Sequence, residues 1–151
     1  MRGVAFAAVF GLALALAACT RAAPDATPDG AVRAWLDKME ESEEDPRAMR
    51  DAYALLGAAT RANLEERARR TTQAQGRRVD PYEMLATGRF GLHFRPKTMK
   101  TTMVGDRATV EVFGDDPLVD HASVRCVHEA GGWRVEPDLP DIVTQPKRDG
   151  G

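Results

Sequence analysis

GDRATVEV (residues 105–112) and VRCVHEAGGWRVE (residues 124–136) both alternate apolar and polar side chains at period two, the pattern of strands with one buried face. Ala108, Val110 and Val112 alternate with Thr109, Glu111 and Phe113. Val124 and Cys126 alternate with Ser123, Arg125 and Val127. Gly105-Asp106 and Gly131-Gly132 supply turns, and Trp133-Arg134-Val135-Glu136 closes the last hairpin. Strands joined by such short turns run antiparallel. A further alternation, Phe90, Leu92 and Phe94 against Gly91, His93 and Arg95, predicts an earlier strand.

Upstream the period changes to that of helices. Thr27-Pro28-Asp29 is a start signal, with a capping hydroxyl, a proline at the first helical position and an acid in the first turn. Val32, Trp35, Leu36 and Met39 then form one apolar face. Asp45-Pro46 repeats the start, and Met49, Ala52, Tyr53 and Leu56 repeat the stripe up to Gly57. Residues 60–75 are helical but weakly amphipathic, with Glu65/Arg69 and Glu66/Arg70 spaced for i,i+4 pairs. Asp80 and Glu83 form a capping box flanked by the staple pair Val79 and Met84, and Gly88 ends that short helix. The acidic run EESEEDP (residues 40–46) lacks the alternating ligand spacing and the glycine of a calcium loop, so it reads as a solvated connection. Helices first and a meander after them define an α+β fold, with N-terminal helices packed on one face of a curved antiparallel sheet.

TPDGAVRAWL (27–36) and DAYALLGAATRANLEERA (51–68), taken with the two strand segments, resemble the nuclear-transport-factor-like, or cystatin-like, α+β family over about residues 27–137. The resemblance implies a cone of helices against a bent sheet. That fold houses ketosteroid isomerase and many small bacterial envelope lipoproteins. Its motifs are core and turn positions, and they specify fold far better than activity. Isomerase chemistry needs a proton acceptor opposed by hydrogen-bond donors, and no such motif aligns here. Tyr53, Tyr82, His93, His121 and Cys126 are the available candidates; Tyr53 and His93 are expected to line the cone, and no residue is assigned as catalytic. Asp120 and His121 are adjacent, but neighbours in a strand point to opposite faces. His93, His121 and His128 lie on different segments without ligand spacing, so no metal site and no cofactor is expected.

The N-terminus carries an address. In MRGVAFAAVFGLALALAACTR (1–21), Arg2 precedes an uncharged run, Gly3 to Cys19, that is shorter than the roughly 20 residues of a membrane-spanning helix. Leu16-Ala17-Ala18-Cys19 resembles the lipobox of bacterial lipoproteins, which implies cleavage before Cys19 and lipid on its thiol. Thr20 in place of aspartate implies the outer membrane, facing the periplasm, in a Gram-negative cell. The expected organisation is a signal peptide at 1–18, a lipidated tether at 19–26, the α+β domain at 27–140 and a disordered tail at 141–151. With Cys19 acylated, Cys126 has no intramolecular disulfide partner. The 21 basic and 23 acidic side chains give a net charge of −2, so nothing in the balance points to nucleic acid. The functional expectation is a membrane-anchored envelope lipoprotein, non-catalytic, binding a protein partner or a small apolar ligand, with a homodimer plausible. A small isomerase or hydratase and a structural accessory of an envelope assembly are the alternatives.

Overall fold

A computed structural model of the chain describes residues 23–85, 92–140 and Ile142. Cys19 and the signal segment, Gly88, Phe90 and Gly91, and nearly all of the expected tail lie outside these residues. The first helix, α1 (Pro28–Glu41), begins where the sequence signals it: the Thr27 hydroxyl accepts from the Gly30 amide at 3.2 Å. Its Val32 and Trp35 are buried, while Leu36 and Met39 pack half-buried against the core. The second helix, α2 (Ala48–Ala54), starts two residues after Asp45-Pro46. The Asp45 carboxylate accepts from the Arg47 amide at 2.9 Å and turns the chain into it.

The third helix, α3 (Ala58–Gln75), buries only Thr60, Leu64 and Ala68, a stripe one residue wide at i, i+4 and i+8. The rest of its surface carries charge pairs. Glu66 takes both Arg70 and Arg69, each at 2.6 Å, and these hydrogen bonds hold its carboxyl down at about 2. The expected Glu65/Arg69 pair does not form, because Glu65 instead accepts a hydrogen bond from Tyr53. The α3 N-terminus is closed from the sheet, where the Glu129 carboxylate accepts from the Ala58 amide at 2.6 Å. A 3-10 turn follows at Pro81–Leu85, and Glu83 reaches back to the Asp80 amide at 2.9 Å, the expected half of the capping box.

Four strands, β1 (Thr98–Val104), β2 (Arg107–Phe113), β3 (His121–Glu129) and β4 (Gly132–Glu136), form an open antiparallel sheet in the order β1-β2-β3-β4. The register sets Ala108 against Cys126 and Cys126 against Val135, so the buried positions of three strands form one apolar face. Helix α1 lies across that face and touches all four strands. The opposite face, with Thr109, Glu111, Arg125, Arg134 and Glu136, is polar. The free edge of β4 is covered by the α2–α3 connection: Val135 donates to the Leu55 carbonyl at 2.9 Å and accepts from the Gly57 amide at 3.0 Å. Covering an edge in this way removes a template for aggregation.

Two expectations are corrected here. Residues 92–97 are irregular, and the first strand starts only at Thr98. Pro96 has no amide to give to a ladder, so strand pairing resumes beyond it, with Lys97 donating to the Phe113 carbonyl at 2.8 Å. In the last hairpin the turn is Ala130-Gly131, both at positive φ (51° and 80°), and Gly132 is already in the strand. Two left-handed residues make the primed two-residue turn that matches strand twist, at the cost of placing an alanine Cβ there.

Candidate functional site

Beside the C-terminal half of α1 the irregular segment 92–96 takes the place of a strand. The gap is a cleft of about 690 Å³. Its apolar lining comes from Leu36 and Met39 of α1, Met49 of α2, Leu85 of the 3-10 turn, and Leu92 and Phe94. Asp37, Glu40 and Glu43 contribute acid on the helix side, and His93 and Arg95 contribute base on the other. Arg95 lies 3.8 Å from Glu40, with both side chains exposed. A smaller hollow of about 190 Å³ continues along α1 past Arg33 to Met99 and shares Leu36, Asp37, Glu40, Arg95 and Pro96 with the first. Together they form one groove along the outer side of α1. The volume falls in the range of small-molecule sites, about 300–1,000 Å³.

The sequence candidates separate. His93 lines the cleft. Tyr53 is not among the residues lining it: its hydroxyl donates to Glu65 at 3.1 Å, and burial, reinforced by that carboxylate, pushes its pKa up to about 12. Tyr82 donates to Asp80 at 3.2 Å and accepts from Arg50, whose guanidinium also lies over the Tyr82 ring. His121 stacks on Phe113 and meets Glu111 on the polar face of the sheet. Cys126 is 1% exposed under the start of α1, and burial pushes its thiol up to about 12. These five side chains therefore occupy distinct environments, and the geometry joins none of them to a shared reaction centre. Among the described residues no group of three or more His, Cys, Asp or Glu side chains is placed to hold a metal ion. Trp35 Nε1 and Arg61 Nε are buried without a hydrogen-bond partner.

The cleft itself was invisible to sequence reasoning. Its walls come from four separate segments, and the one signal present, the polar-apolar alternation of Leu92 to Arg95, reads as a strand. Fold and cleft together define an α+β domain with a helix-on-sheet core and an apolar-floored groove at one end. No family model, no curated protein and no solved structure gives a significant match to the chain.

Proposed function

We propose that the chain is a membrane-anchored lipoprotein of the bacterial cell envelope whose domain, a nuclear-transport-factor-like cone, binds a small apolar ligand without transforming it. The anchor rests on Leu16-Ala17-Ala18-Cys19 and the uncharged run before it. The binding role rests on one observation, the cleft of about 690 Å³ floored by Leu36, Met39, Met49, Leu85, Leu92 and Phe94. An apolar floor with a charged rim selects for a ligand that is mostly hydrocarbon with a polar head. Isomerase chemistry would need an acid or base opposed to a donor in the same cavity. Here the Tyr53 hydroxyl is committed to Glu65, away from His93.

The test is fluorescence titration with N-phenyl-1-naphthylamine, alongside the Leu36→Glu variant. Leu36 lines both hollows and is only half-buried, so the change charges the floor and spares the core. The wild type is expected to enhance probe emission saturably. The variant should bind at least about tenfold more weakly, the effect of about 1.4 kcal/mol. Equal binding by a correctly folded variant refutes the cleft as the site.

A further inference from the structure

The two ends of the sheet are chemically different, and the chain that leads from Cys19 enters at only one of them. At that end, the row Val104–Arg107–Val127–Arg134 runs across all four strands. Pro24–Ala26 form a 3-10 turn, and Asp25 pairs with Arg134 at 2.5 Å, with side chains 27% and 17% exposed. The pair sits directly over Gly132, where a Cβ would come within 2.5 Å of the Asp25 carboxylate. The N-terminal segment is thus stitched to the sheet before α1 begins. At the opposite end lie the row Thr98–Phe113–His121 and the cleft, near which Phe94 approaches Gly114. Helix α1 connects the ends, from Pro28, whose carbonyl lies 3.9 Å from the Cys126 sulfur, to Glu40 beside Arg95.

Resting on the lipoprotein reading above, we infer that the end of the sheet carrying the β1–β2 and β3–β4 turns faces the phospholipid surface, and that the cleft opens away from it. Chain length decides this. Five residue steps separate Cys19 from Pro24, at most about 17 Å when fully extended. The cleft is walled by residues 92–96, just past the Thr98 end of β1, about 20 Å along that strand from the Val104 end where Pro24 docks. Laying the cleft on the bilayer would lift Pro24 further from the lipid than its leash reaches. Met103 and Val104, 61% and 77% exposed, stand at the membrane end, where apolar side chains meet the interface at least cost. Leu118 and Val119 are carried outward with the cleft. The protein therefore takes its ligand from the aqueous side or from a facing structure, and not from the leaflet that holds it.

The experiment uses the full-length lipidated protein, purified from membranes and reconstituted into phosphatidylethanolamine–phosphatidylglycerol vesicles with a headgroup-labelled energy acceptor. Val104→Cys and Glu43→Cys, both exposed positions, are labelled with a maleimide donor; buried Cys126 stays unlabelled. Transfer from position 104 is expected to exceed that from 43 at least about twofold, given the roughly 20 Å that the length of β1 puts between the two ends. Adding Asp25→Ala frees the 3-10 turn, lengthens the leash to eight steps or about 26 Å, and should bring the two sites together. Vesicle-bound protein with transfer from 43 equal to or above that from 104 overturns the orientation. A difference undiminished by Asp25→Ala overturns the role given to the Asp25–Arg134 pair. If Cys19→Ser leaves membrane association unchanged, the lipoprotein reading fails first and takes the orientation with it.

Discussion

Gly132→Ala should destabilise the domain only while Asp25 is present. The added Cβ would sit 2.5 Å from Asp25 Oδ2, 2.9 Å from Asp25 Cγ and 3.0 Å from Arg134 Nη1, so the pair must part. Both side chains are largely shielded from water, and charge-assisted hydrogen bonds of this kind contribute about 1.5–3 kcal/mol. The released carboxylate regains water and Ala restricts the unfolded chain, which returns about 0.4–1 kcal/mol. The net cost at neutral pH is therefore about 1 kcal/mol, a fall of about 4 °C in Tm for a domain of this size. The pH dependence carries a sign. The hydrogen bond from Arg134 holds Asp25 below the usual 3.8, so its contribution is complete above that value and is lost as pH falls through the lower, folded-state pKa. The wild-type advantage should accordingly vanish in acid. Thermal denaturation of wild type, Gly132→Ala, Asp25→Ala and the double variant checks this as a cycle. In the Asp25→Ala background, Gly132→Ala should be neutral or slightly stabilising. An equal loss there refutes the clash and places the cost in β4 itself.

Ala130 is the one described non-glycine residue at positive φ (51°), so Ala130→Gly should raise stability by about 0.5–1 kcal/mol, the left-handed Cβ penalty less the entropy of glycine. Urea denaturation reads it, and a loss of stability would mean that the Ala130 methyl makes a contact worth more than its strain. Cys126 should resist Ellman's reagent at pH 8 in the native state and react on unfolding, because its thiol is buried and pushed up to about 12. Rapid native labelling would show that α1 lifts from β3.

Legibility followed burial on one side. In β2, β3 and β4 a buried face meets a solvated one, so Val110, Val112, Val124, Cys126 and Val135 announced their strands. In β1 no residue is fully buried, and only Met99 and Thr101 are half-exposed. An edge strand that packs little on either face imposes no alternation, and TMKTTMV carries none. The N-cap at Thr27 and the capping box at Asp80 were readable because each uses a bond between residues three apart. The Asp25–Arg134 pair and the Glu129 cap on α3 join residues more than seventy positions apart, and nothing local marks them. His93 was singled out and lines the cleft; Tyr53 was singled out with it and is drawn instead to Glu65.

The cleft follows from Pro96. Had β1 begun at Leu92, its first residues would have paired with the chain beyond Phe113 and filled the space under the C-terminal half of α1. Pro96 interrupts the ladder, and the chain beyond Phe113 instead folds on itself, with Asp116 accepting from the Asp120 amide and Asp120 accepting from Gly114. Sheet support for α1 therefore stops about halfway along the helix, after Trp35. Leu36 and Met39, part of the same apolar stripe, are left half-covered beside Leu92 and Phe94. The stripe of α1 is thus longer than the sheet that serves it, and the surplus apolar surface is the floor of the site.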